Sequence, residues 1–219
     1  MVKRLFDIIL SGIGLIILSP FLLVIACIIT ITSPGGVFFR GVRVGKNGRL
    51  FRIFKFRSMI PDCEGKGRWN VGDKDPRITK IGHFLRKSKL DELPQLINVF
   101  IGDMSLVGPR PELQYYVDMY TEKEKRILCR RPGITDWASL VNISQYKAFT
   151  EVNDPDKYYL NYIRPIKLKL QLYYVDHHSL YEDLEILILT VWNIISHSHK
   201  CPKRIINLVD SVAQGKNNE

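Results

Sequence analysis

The chain is short of acids. Of its 219 residues, 22 are Asp or Glu against 32 Lys or Arg, for a formal net charge of +10. That balance disfavours cationic partners and suits anionic ones: lipid headgroups, nucleic acid or phosphorylated substrates. Cysteine is also scarce. Cys27, Cys63, Cys129 and Cys201 are scattered with no C-x-x-C pair, so neither a zinc motif nor a dithiol redox motif is indicated. Free thiols facing a reducing compartment are the simplest reading. His177-His178 and His197-x-His199 have no third ligand nearby in sequence and read as solvated or core histidines. Leu184 to Ile195 is apolar but too short to cross a bilayer, and reads as a packed helix. The length suffices for one domain with a real core.

One apolar run is long. Ile8 to Thr32 carries no charge and is long enough to cross a hydrocarbon core of about 30 Å. It is too long for a signal peptide, and no small-x-small cleavage site follows. Ser19-Pro20 lies at its middle, where proline removes a backbone donor and kinks a helix. Basic residues flank both ends: Lys3 and Arg4 before, then Arg40, Arg43, Lys46, Arg49 and Arg52 after. A spanning helix should show one basic side. The pattern therefore favours a helix-break-helix that enters one leaflet and returns, with Ser19 recapturing carbonyls freed by Pro20. A kinked spanning helix is the alternative. Asp7, at the entrance, needs a partner: Lys3, Arg4 or a basic residue of the polar part.

Residues 34–200 read as one polar domain and 201–219 as a frayed polar tail. Lys46-Asn47-Gly48-Arg49 predicts a type I′ hairpin turn. Leu50 to Arg57 alternates apolar and basic like a half-buried strand. Its aromatics and cations suit a nucleic-acid strand or, next to an apolar helix, a lipid surface. Residues 61–82 read as a loop suited to a polar substrate, followed by a helix over Ile78 to Leu85. Leu113 to Leu128 reads as one charged helix. Tyr158 to Tyr174, broken by Pro165, is ambiguous between strand and amphipathic surface helix. The fold class expected is mainly α with a small β-hairpin.

The chemistry concentrates in Arg86-Lys87-Ser88-Lys89-Leu90-Asp91-Glu92-Leu93-Pro94-Gln95. Ser88 reads as an N-cap with Asp91 at the third helical position, completing a capping box. That places Asp91 in a first turn, where the helix dipole favours a carboxylate and a bound phosphate. An ionised carboxylate beside a phosphate is what a phosphoryl-transfer nucleophile requires; a capping Asp followed by a solvated Glu is the plainer alternative. Arg110, held between Pro109 and Pro111, is a rigid phosphate or carboxylate clamp, or a structural partner of Glu112 or Asp103. Thr135, after the Pro132-Gly133 turn, is a candidate for phosphate oxygens or simply part of a surface turn.

These pieces occur in a recognisable order: Lys3-Arg4-Leu5-Phe6-Asp7, Ser19-Pro20, Phe54-Lys55-Phe56-Arg57-Ser58-Met59, Asp75-Pro76-Arg77, Leu85-Arg86-Lys87, Leu90-Asp91-Glu92-Leu93-Pro94-Gln95, Gly102-Asp103-Met104-Ser105-Leu106-Val107-Gly108-Pro109-Arg110-Pro111-Glu112 and Pro132-Gly133-Ile134-Thr135. The set resembles the bacterial sugar transferases, the monotopic polyprenyl-phosphate phosphoglycosyl transferases, in their short minimal catalytic form. The resemblance implies a re-entrant helix in the cytoplasmic leaflet of the bacterial plasma membrane. It also implies transfer of a sugar-1-phosphate from a UDP-sugar to polyprenyl phosphate, with Mg²⁺ required and UMP released. Asp91 would be the nucleophile and Glu92 a metal or proton-handling partner, so that Asp91 and Glu92 are also the metal candidates. Arg86 and Arg110 are the expected phosphate clamps, with Lys55 and Arg57 as secondary ones. Membrane lipids are expected partners, nucleic acid is not, and a second copy of the chain is a candidate. A membrane-anchored basic adaptor without catalysis is the competing reading, and a hydrolase with the same dyad a third. Two departures from the family pattern stand out: His83 in place of a basic residue, and Asp136 in place of a small one, bearing on sugar or loop detail.

Overall fold

The computed structural model describes residues 2–60, 75–145, 155–196, 198 and 200–215. Most of the loop expected over 61–82 and the pair His197 and His199 therefore lie outside the described residues. The chain is mainly helical with short strands, as the composition and periodicity indicate.

Helix α1 (Val2–Thr32) contains Pro20 and is continuous through it. The break expected there is confined to one missing backbone donor. Proline lacks the N–H that would bond the carbonyl four residues back, and the Ser19 hydroxyl donates to that Ile16 carbonyl at 2.8 Å instead. Among the described residues α1 is the one helix long and apolar enough to cross a membrane. Its first turns dock on the rest of the protein. Asp7 is 2% exposed, yet its partners are neither Lys3 nor Arg4. It accepts from the Ser105 hydroxyl at 2.9 and 3.0 Å and from Leu106 N–H at 3.0 Å. Lys3 pairs with Asp183, and Arg4 donates to the Val99 and Phe100 carbonyls. The far end packs too: Ile25 and Ile29 join Phe56 and Leu85 in a buried cluster.

Four short strands follow: β1 (Phe38–Phe39), β2 (Val42–Val44), β3 (Leu50–Arg52) and β4 (Lys55–Phe56). β1 pairs with β4 and β2 with β3, both antiparallel. Asn47 and Gly48 both take positive φ, 56° and 79°, and Arg49 N–H closes on the Lys46 carbonyl at 3.2 Å. This is the turn predicted from Asn-Gly.

Helix α2 (Lys80–Lys87) and α3 (Gln95–Ile101) flank the acidic dyad. After them β5 (Ser105–Val107) pairs in parallel with β6 (Gly133–Thr135). The two backbones nearly touch: a Cβ on Gly133 would sit 2.1 Å from Gly108 N. Between these strands the single helix expected over Leu113 to Leu128 is divided into α4 (Gln114–Val117), α5 (Glu122–Lys125) and a 3₁₀ turn (Arg126–Cys129). The reason is local. Thr121 and Glu124 form a reciprocal capping box, which starts a new helix and stops the previous one.

Helices α6 (Trp137–Gln145), α7 (Pro155–Tyr158), α8 (Arg164–His177), α9 (Leu180–Ser196) and α10 (Lys203–Gly215) complete the fold. A π-type turn (Tyr159–Ile163) joins α7 to α8. Pro165 therefore falls in the first turn of α8, where a missing N–H costs little, and the run is helical. Its strand-like alternation has a packing cause: Leu168, Leu170, Gln171 and Tyr174 are all buried, because neighbours cover more than one face of α8. The tail is a correction. Residues expected to be frayed form α10, whose Ile205 is fully buried in the main core with Trp137 and Ile186. Short, charge-rich sequence hid an amphipathic helix that is stable through packing rather than propensity.

Candidate active site

The dyad does not sit where a capping box would place it. Ser88 is the C-cap of α2, and its hydroxyl donates back to the Phe84 carbonyl at 2.7 Å. Lys89 turns the chain with φ 59°, and Leu90–Glu92 form a 3₁₀ turn. Pro94 separates that turn from α3. The leucines of this stretch are split accordingly: Leu90 packs against the cluster of Leu85 and Phe56, Leu96 against the main core. Asp91 therefore lies outside α3, and its charge is met by a cation rather than by a helix dipole.

That cation is Lys55, whose Nζ is 2.8 Å from Asp91 Oδ2 and 3.3 Å from Glu92 Oε1. Lys55 reaches the dyad because Asn98, fully buried on α3, holds the strand beside it: its Oδ1 accepts from Phe54 N–H at 2.7 Å and its Nδ2 donates to the Arg52 carbonyl at 3.0 Å. Arg110 closes the other side. Its Nη2 pairs with Glu92 Oε1, and its Nη1 donates to the Ile134 carbonyl at 3.1 Å. Burial raises the Glu92 carboxyl, but the charges of Arg110 and Lys55, with Lys89 further off, outweigh it and hold the group well below the usual carboxylate range. Asp91 is 2% exposed. Each carboxylate keeps one oxygen, Asp91 Oδ1 and Glu92 Oε2, without a hydrogen bond among the described residues.

The other sequence candidates are placed differently. Arg86 lies half-buried in the last turn of α2. Arg57 donates to the Ser33 carbonyl at 2.8 Å, closing the end of α1. Thr135 turns its buried hydroxyl to Thr190 Oγ1 of α9 at 2.8 Å, and Thr190 in turn donates to the Ile186 carbonyl. Glu112 does not pair with Arg110 either. It is buried against Lys167, Tyr120 and Tyr159. His177 stacks on Tyr173, and a His178 ring nitrogen faces Arg130 at 2.9 Å.

Three polar residues of this region were not singled out from sequence as site-forming: Asn98, Gln171 and Asp136. The first two carry no local signal. Asp136 carries one, its departure from the family pattern, and it accepts the Arg110 N–H at 3.1 Å.

The bacterial sugar transferase profile matches residues 1–197. The chain is 39% identical over 198 residues to the UDP-N-acetylgalactosamine-undecaprenyl-phosphate N-acetylgalactosaminephosphotransferase of Aeromonas hydrophila, covering 89% of this chain and 44% of that protein. It is 36% identical over 195 residues to the UDP-glucose:undecaprenyl-phosphate glucose-1-phosphate transferase of Escherichia coli, covering 88% and 40% respectively. The exopolysaccharide production protein PSS of Rhizobium leguminosarum is 38% identical over 201 residues, covering 86% of this chain and 92% of that protein. The chain thus spans less than half the length of the first two. The profile, the shared length and the ordered motifs together place this protein in the bacterial sugar transferase family.

Proposed function

We propose that the protein transfers a sugar-1-phosphate from a UDP-sugar to polyprenyl phosphate through an aspartyl-phosphosugar intermediate. The observation that carries this reading is the Asp91-Glu92 dyad, Asp91 buried and Glu92 half-buried, braced by Lys55 and Arg110 beside the apolar helix. An Asp91 carboxylate oxygen attacks the phosphorus that bears the sugar. The bond from that phosphorus to the bridging oxygen breaks, and UMP leaves with the oxygen. A phosphate oxygen of the polyprenyl phosphate then attacks the same phosphorus, and the acyl–phosphate bond breaks to restore the carboxylate. Such displacements depend on positioning and charge neutralisation more than on covalent chemistry by the protein. Lys55 and Arg110 supply fixed positive charge for both steps.

The residues also fit Mg²⁺. It binds through one or two carboxylates plus substrate phosphates rather than an all-protein cage. Asp91 Oδ1 and Glu92 Oε2, which have no hydrogen bond among the described residues, are the atoms that would hold it. When bound, the ion neutralises diphosphate charge.

The membrane arrangement we infer is monotopic, on the cytoplasmic face of the bacterial plasma membrane. Asp7 and Ile29 are both buried against the polar domain, 22 residues apart and about 33 Å apart along a straight helix axis. A spanning helix would carry one of those ends across the bilayer, away from the domain. Helix α9 supports a surface position. It turns Glu182, Asp183 and Asn193 inward and leaves Leu184, Ile188, Val191, Trp192 and Ile195 exposed, the reverse of a water-facing helix. The test is UMP release from a panel of UDP-sugars with undecaprenyl phosphate in a bilayer mimic. Asp91→Asn should abolish it and leave no labelled adduct from radiolabelled donor; sustained turnover by that variant would refute the nucleophile assignment.

A further inference from the structure

We propose that Asp136, with Gln171, is the positioning element that sets the reach of Arg110 onto the dyad; this rests on the transferase reading above. Arg110 stands between two prolines, so its N–H is the lone backbone donor of Pro109-Arg110-Pro111. Asp136 Oδ2 accepts it at 3.1 Å. The Arg110 carbonyl accepts from Gln171 Nε2 at 3.3 Å, and the same amide nitrogen donates to Asp136 Oδ2 at 3.2 Å. Both backbone groups of one residue are thus held by two side chains that are 1% and 0% exposed.

The other oxygen of Asp136 has separate work. Oδ1 accepts from Ser139 N–H at 2.7 Å and from the Ser139 hydroxyl at 2.6 Å, the geometry of an N-cap on α6. One buried carboxylate therefore joins the start of α6, the Arg110 peptide and α8. Its charge is met by four hydrogen bonds and the amino end of a nine-residue helix. A small residue at 136 would leave the Arg110 N–H, enclosed by prolines, without this acceptor. The guanidinium would then keep its Ile134 contact but lose the fixed backbone from which it reaches Glu92. Misplacement of a charge-neutralising group by about 1 Å costs on the order of 100-fold in rate.

Asp136→Ser separates the two roles, because serine is a good N-cap but too short to reach both Ser139 and Arg110. The reaction in bilayer mimics would be followed for Asp136→Ser, Gln171→Met, Arg110→Ala and the Asp136→Ser/Arg110→Ala double variant. Hydrogen exchange would be read on a peptide containing Pro109-Arg110-Pro111, where one amide reports. Positioning predicts a kcat loss of about 10- to 100-fold with KM for the UDP-sugar little changed. It also predicts faster exchange at Arg110, and no further kcat loss when Asp136→Ser is added to Arg110→Ala. Multiplicative losses in the double variant, or unchanged kcat and unchanged Arg110 exchange in Asp136→Ser, would overturn it. Gln171→Met tests the same peptide from α8 and must speed Arg110 exchange even if Asp136→Ser folds poorly. Asp91→Asn runs alongside: its activity reports on the transferase reading, whereas Arg110 exchange reports on positioning alone.

Discussion

Replacing Lys167 with Met should reverse the way stability responds to acid. Lys167 is paired with Glu112 inside the protein, with side chains 12% and 2% exposed. Tyr120 and Tyr159 donate to the same carboxylate at 3.2 and 2.9 Å. Burial works against charge on Glu112, but Lys167 and the two hydroxyls outweigh it and lower its pKa below the ordinary 4.5. Burial likewise works against charge on Lys167, and Glu112 wins, raising its pKa above the ordinary 10.5. The signs follow from linkage. Glu112 contributes stability that is present above pH 4.5 and lost as pH falls through its folded value. Lys167 contributes stability present below pH 10.5 and lost as pH rises through its folded value. The pair therefore stabilises the fold across the whole interval between. Met removes the cation and fills similar volume, leaving a buried carboxylate with two hydroxyl donors. Breaking such a pair from one side costs about 3–5 kcal/mol, or roughly 10 °C in Tm for a domain of this size. In the variant burial dominates Glu112, so its folded pKa rises above the unfolded one and acid becomes stabilising as the carboxyl takes up a proton. Thermal unfolding in detergent between pH 4.5 and 8 reads both effects. Relative to wild type, the variant should gain Tm toward acid, while adding Glu112→Gln should restore most of the loss. A loss under about 1 kcal/mol, or a variant whose pH response matches that of wild type, would refute the argument. The functional stake is the site itself, since Glu112 ends the turn that carries Arg110, and its carbonyl also receives Val44 N–H at 3.0 Å.

Two further perturbations probe the frame around the dyad. Gly133→Ala puts a Cβ 2.1 Å from Gly108 N; the variant should lose several kcal/mol or fail to accumulate folded, whereas Gly36→Ala, with nothing within 4 Å, should express normally. Asp7→Ala strips the acceptor from the Ser105 hydroxyl and the Leu106 N–H, at about 1–3 kcal/mol for each buried donor, visible as a drop in Tm; an unchanged Tm would mean that α1 is not docked through this contact.

Local sequence was enough for whatever depends on near neighbours. The charge-free run from Ile8 to Thr32 dictated a long apolar helix, Ser19 sat where Pro20 would free a carbonyl, and Asn47-Gly48 imposed positive φ on a hairpin. The acidic pair and the cations able to serve it were visible as residue types in order. What the residues could not reveal singly is which of those cations meet the carboxylates. Lys55 arrives because Asn98, far along the chain, pins its strand. Arg110 arrives because Asp136 and Gln171 hold its peptide. The Thr135 hydroxyl meets Thr190 because α9 packs across it. The α8 alternation is ambiguous in sequence and the tail looks frayed for a related reason: both owe their form to surfaces contributed by distant segments. A side chain's type and its immediate periodicity are written in the chain, but its partner is chosen by how separate segments pack, and that choice exists only once the tertiary structure brings them together.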